Sequence, residues 1–239
     1  MTMMDTFALF DPVDYAALAA LVVGWWVIGW IIEHGIGQRC SVSMLMVQYR
    51  EEWMTHMITR EPRVFDAQIL GSLRQGTAFF ASATMIAIGG CLALLGNAEQ
   101  LVNIAEDLTL GQDPVIVWEI KVLVILGFLA NAFFKFVWAN RLFGYCGVVM
   151  GAVPNDPNHA DVALRTSQAA EISNFSARSF NRGLRAIYFS LAATAWLLGP
   201  WALMAAAATT CLMLVRREFM SQSHATLSRG ALSQTPTQS

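Results

Sequence analysis

The chain has 239 residues, of which 56% are hydrophobic and only 13% charged, with a formal net charge of −2. Soluble domains carry roughly 45–50% apolar and about 25% charged residues, so an ordinary soluble globule is excluded. The near-neutral balance also excludes a polyanion partner, and with it nucleic acid.

Where the charge sits is more informative than its sum. Residues 1–38 and 75–120 contain no lysine or arginine. Basic residues collect on the cytoplasmic side of multi-span membrane proteins, so this alternation predicts an orientation. The N-terminal residues hold Asp5, Asp11 and Asp14. A signal peptide starts with a positive segment, so the first apolar run is expected to remain as a permanent helix.

Residues 15–32 form that first span. Its uncharged length suffices for a hydrocarbon core of about 30 Å at 1.5 Å per residue. Glu33 and His34 follow it and read as a polar pair at the membrane interface. They are adjacent, point about 100° apart, and so do not share a face. Residues 43–60 follow as an amphipathic helix, with Met46, Tyr49, Trp53, Met57 and Ile58 on the apolar side and Pro62 as its breaker. The second span covers 76–96, and an acidic loop at 97–113 follows it.

The third span covers 117–140, with Pro114 suited to its start. Glu119 and Lys121 lie near one end. Lys121 and Lys135 are about 21 Å apart along the helix, so their ammonium groups are expected to snorkel to opposite interfaces. Asn131, Lys135 and Arg141 make a polar stripe, the first two sharing a face. An ionisable residue inside a membrane is a functional hypothesis by default. The competing reading is structural, with Lys135 snorkelling and Asn131 bonded to a neighbouring helix. Gly147 and Gly151 have the spacing that permits close helix contact.

Residues 160–185 read as a second amphipathic helix, with Leu164, Ile172, Phe175 and Phe180 as its apolar side. Both amphipathic helices are expected to lie on the cytoplasmic membrane surface. Arg178, Asn181, Arg182 and Arg185 form a basic, polar face suited to anionic lipid headgroups, at about 1 kcal/mol per charge. Ordinary positive-inside anchoring explains the same residues. The last apolar run, 186–215, is too long for one upright helix, and Gly199-Pro200 divides it. Two topologies are compatible: one kinked helix, giving four spans, or a hairpin of 186–198 and 201–215, giving five. The hairpin keeps Arg216, Arg217 and Arg229 on the cytoplasmic side and is favoured. Trp118, Trp138, Trp196 and Trp201 fit aromatic belts at the interfaces. Residues 221–239 read as a disordered cytoplasmic tail.

The expected fold is therefore all-α, a polytopic transmembrane bundle forming one membrane domain over 1–220, with cytoplasmic amphipathic helices. Its N-terminus lies outside an inner membrane and its C-terminus in the cytoplasm. Cys40, Cys91, Cys146 and Cys211 form no metal motif, and none of His34, His56, His159 and His224 lies deep in a span. No metal or cofactor is expected. The chain has no phosphate-loop, metalloprotease, nucleophile-elbow or dinucleotide fingerprint, so no catalytic residue is assigned.

Several local patterns recur in order. They are Trp53-Met54 through Arg63-Val64-x-Asp66, Phe79-Phe80-Ala81-Ser82, and Phe133-Phe134-Lys135-Phe136-x-Trp138-Ala139-x-Arg141-x-Phe143-x-Tyr145-Cys146. Then come Phe180-Asn181-Arg182-Gly183-Leu184-Arg185-Ala186-x-Tyr188-Phe189, Gly199-Pro200-Trp201 and Arg216-Arg217-Glu218-Phe219. Together they resemble the Domain of Unknown Function 599 family, over roughly residues 15–220. The resemblance implies a multi-span helical membrane protein and brings no activity or ligand. The expected function is a non-enzymatic membrane protein that binds lipids or assembles with itself or another membrane protein. A small transporter or channel along the Asn131–Lys135 stripe is the alternative.

Overall fold

The computed structural model describes residues 9–97 and 114–232. The acidic loop expected after the second span lies outside them, apart from Asn97. So do residues 1–8 and 233–239. Among the described residues the secondary structure is helical, without a named strand. The helices are α1 (Pro12–His34), α2 (Val42–Met57), α3 (Val64–Gly96), α4 (Val115–Gly151), α5 (Val162–Thr194), α6 (Pro200–Phe219) and α7 (Gln222–Leu232). A short 3-10 turn, Ala195–Leu198, follows α5.

Three helices, α1, α3 and α4, are long and apolar enough to cross a bilayer. Only 6% of the most apolar window of α3 is buried, against 39% for α4. Phe79 and Ile86 on α3 are 67% and 76% exposed. An apolar surface this continuous needs a non-aqueous neighbour.

The last apolar run folds back on itself. A Cβ added to Gly24 would lie 3.2 Å from Cys211 Sγ and 3.8 Å from Phe189 Cε1. On one straight helix those two residues would be about 33 Å apart. The reversal occurs at Gly199, whose φ of 118° only glycine adopts readily, and Pro200 opens α6. The kinked single helix is thereby replaced by a hairpin.

Two compact units divide the chain. One comprises Met1–Gly29, Ser82–Phe133 and Gly183–Leu214. Its interior is aromatic and aliphatic. Trp25 meets Phe128 edge-on at 5.4 Å, and Phe128 stacks on Phe189 at 6.3 Å. Trp118 and Trp196 are buried here rather than set in interfacial belts, whereas Trp201 is exposed. Trp196 Nε1 donates to Asp14 Oδ1 at 2.6 Å. Lys121 is buried, with its ammonium 4.4 Å from the centre of the Trp118 ring, whose face attracts a cation.

The other unit comprises Trp30–Ala81, Phe134–Arg182 and Val215–Ser239. Its apolar core joins Met54 and Met57 of α2, Leu70 of α3, Phe143, Cys146 and Met150 of α4, and Ala169 and Ala170 of α5. Three expectations change here. α2 buries Leu45, Met54 and Met57, while Tyr49 is exposed, so the inward face is rotated from the one read by periodicity. On α5, Leu164 and Phe175 are exposed and the buried face is Ala169, Ala170, Ser173, Ser176 and Ala177. Small residues let helix backbones approach closely, and in this stretch of α5 they face inward. Finally, residues 222–232 are helical rather than disordered. Ser221 Oγ caps α7 by accepting from His224 N, and the His224 ring lies 3.0 Å from Cys40 O.

Candidate functional site

Polar side chains of the second unit form three clusters, each built on a helix end or a helix contact. The first surrounds Asp66 in the opening turn of α3. Asp66 is only 1% exposed. Its Oδ1 accepts from Trp53 Nε1 at 2.8 Å and from Arg60 Nη1. A buried carboxylate needs such donors to remain charged. Its second oxygen is buried without a hydrogen-bond partner. Beside it, Arg63 donates to Val153 O at 2.7 Å and Pro154 O at 3.0 Å. Two carbonyls thus fix the guanidinium without neutralising it.

The second cluster sits at the start of α2. Ser41 Oγ caps the helix by accepting from Met44 N and donates to Ile32 O at 2.7 Å. Ser43 N and Ser43 Oγ donate to Glu218 Oε2 at 3.1 and 3.0 Å. A carboxylate at a helix N-terminus satisfies free N–H groups and matches the positive end of the helix dipole. Arg217 Nη2 donates to the other oxygen of Glu218 at 3.1 Å, and Asn181 Nδ2 approaches Ser43 Oγ at 3.4 Å.

The third cluster is an ion pair between α1 and α5. Arg182 Nε donates to Glu33 Oε1 at 2.8 Å, and Nη2 donates to Oε2. This hydrogen bonding holds the Arg182 guanidinium above its ordinary value; partial burial opposes it, and the Glu33 charge adds to it. Burial alone pushes Arg50 on α2 below its ordinary value. Arg50 donates to Asn174 Oδ1 at 3.4 Å.

The residues expected to share one basic face have separate environments. Arg178 is exposed and lies 6.0 Å over the Phe175 ring. Asn181 joins Ser43, and Arg182 joins Glu33. Arg185 is buried, and its Nε lies 3.8 Å from where a Cβ on Gly29 would stand. Glu33 and His34 diverge as their spacing requires: His34 stacks on Trp30 and its Nδ1 lies 2.9 Å from Trp30 O.

Along the expected polar stripe, Asn131 and Lys135 are half-buried and Arg141 is exposed, donating to Tyr145 Oη. The backbone carbonyl of Lys135 accepts from Ser179 Oγ at 3.0 Å. The polar residue that ties α4 to α3 is instead Asn140. Its Nδ2 donates to Arg74 O and to Thr77 Oγ1, both at 2.9 Å. Asp66, Asn140 and Glu218 were not singled out by sequence reasoning. Asp66 and Glu218 do fall within the recurring patterns, the only signal that marked them.

Two cavities adjoin the Asp66 cluster. One, of about 400 Å³, runs from Arg63, the residue before α3, along the helix past Leu70 to Arg74, opposite Met150 and Gly151 of α4. The other, of about 550 Å³, is lined by residues 58–63 with Asn155 and Pro157. Arg63 and Asn155 line both.

The family described as protein of unknown function, DUF599, matches residues 16–223, which is most of the chain and includes all three clusters. The chain belongs to this family. No curated protein and no solved structure matches it. The DUF599 match runs from within α1 through the first residues of α7, so it takes in most of both units.

Proposed function

We propose that this DUF599 protein is a non-enzymatic, multi-pass protein of the inner membrane that binds lipids or assembles with other membrane proteins. One observation carries the reading: α3 presents its apolar surface almost entirely outward. Lipid tails or a neighbouring protein must cover it. In this reading α1, α3, α4 and both arms of the α5–α6 hairpin cross the bilayer. The N-terminus is outside and Arg178 faces anionic headgroups of the cytoplasmic leaflet.

The transporter alternative needs a water-filled path at the level of Lys135. Next to it Phe136 is fully buried, with its ring 5.4 Å from Phe80 and 5.5 Å from Phe180. Packing of this kind favours the non-conducting reading.

Native mass spectrometry of the protein in gentle detergents tests the proposal. Retained lipid or an oligomer is the expected result. A bare monomer in every detergent counts against it. Cysteine labelling that puts residue 107 and Arg178 on the same side of the membrane would overturn the topology.

A further inference from the structure

We propose that the two cavities beside Asp66 form one site for a phospholipid, its phosphate at Arg63 and one acyl chain in the groove between α3 and α4. The inference rests on the membrane reading above and adds a location and a ligand class to it.

The groove follows from spacing. Ala67, Leu70, Gly71 and Arg74 lie three or four apart on one face of α3, and Arg63 immediately precedes the helix, so the lining spans about 16 Å. Met57, Leu70 and Met150 make the middle apolar. Glycine keeps it open: a Cβ added at Gly71 or Gly151 would meet nothing within 4 Å. Gly147 behaves differently, since a Cβ there would come within 2.9 Å of Leu70 Cδ2. The same helix face thus has a tight contact at Gly147 and free space at Gly151.

The polar end follows from charge. Arg63 is anchored by two carbonyls and bears on both cavities. Among the described residues the Arg63 guanidinium is held by carbonyls and makes no ion pair with a carboxylate, and a guanidinium is well shaped for phosphate. The second cavity, lined by Thr59, Arg60 and Asn155, is polar enough for the rest of a headgroup. Asp66 carries a buried oxygen without a partner at this junction, which suits a headgroup bearing a hydroxyl or ammonium donor after a small shift. At the other end, Arg74 precedes the long apolar run of α3, so a chain lying in the groove points toward the bilayer. A volume of about 400 Å³ is within the usual range for a bound small molecule.

The test uses the full chain in a neutral detergent, with phosphatidylglycerol added and bound lipid counted by native mass spectrometry. The wild type is expected to keep one lipid under activation that strips the others. Gly151→Leu, which fills the groove, should lower its retention at least tenfold while the melting temperature without lipid is unchanged. Arg63→Gln should do the same. Should that variant fail to fold, Gly71→Leu takes its place, since it fills the groove without touching the anchored arginine. Inorganic phosphate at millimolar concentration should neither bind measurably nor displace the lipid, which separates a lipid site from a phosphate site. Equal retention by the wild type and the glycine variants overturns this site while leaving general lipid binding intact. Loss of every lipid from the wild type overturns both.

Discussion

The two units are built from different bonding economies. In the first, aromatic rings pack on one another, and the Trp196–Asp14 bond joins its α1 and hairpin segments. In the second, buried carboxylates organise helix ends: Asp66 gathers Trp53 and Arg60, and Glu218 caps α2. The basic residues of the second unit are therefore not all spare charge. Several of them are spoken for inside the second unit, as Arg182 is by Glu33 and Arg217 by Glu218.

This contrast predicts that polar substitutions do most harm in the second unit. Asp66→Ala should be the most damaging, because it strands Trp53 Nε1 and a partly buried arginine. A loss of about 3 kcal/mol is expected, read as a fall in melting temperature in detergent. A smaller fall than that of Asp14→Ala, for which about 1 kcal/mol is expected, would reverse the comparison. Asn140→Ala should also cost about 1 kcal/mol, since it removes a helix–helix bond within an apolar setting. Hydrogen exchange near Arg74 and Thr77 would locate the effect.

Glu33→Gln should have the smallest consequence, under about 1 kcal/mol, because Arg182 is 44% exposed and solvent screens the pair. Its pH dependence has a defined sign. A cation whose value is raised on folding contributes fully below its unfolded value and loses that contribution only as pH rises through the folded one. Arginine stays protonated well beyond this range, so melting curves at about pH 7 and about pH 10 should show no change attributable to Arg182. A drop in the wild type that Glu33→Gln abolishes would refute this.

The hydrophobic architecture was legible because it is written locally. Three apolar runs of spanning length and a Gly-Pro interruption are each visible within about thirty residues. The polar clusters were not, because their partners are distant in sequence. Asn140 meets the backbone of a residue 66 positions earlier, and Glu218 meets one 175 positions earlier. On α5 the large apolar residues divide: Leu164 and Phe175 are exposed, while Phe189 is buried along with the small Ala169 and Ser173. Asn140 entered the sequence reading only as the last residue of the third span.

The cap on α2 carries a consequence for biosynthesis. Ser43 leaves the ribosome 175 residues before Glu218, so the amide groups at that helix start must wait on water or a lipid headgroup until Glu218 is made. Chains ending just short of Glu218 would carry the apolar runs that precede it and still lack the carboxylate that closes this joint.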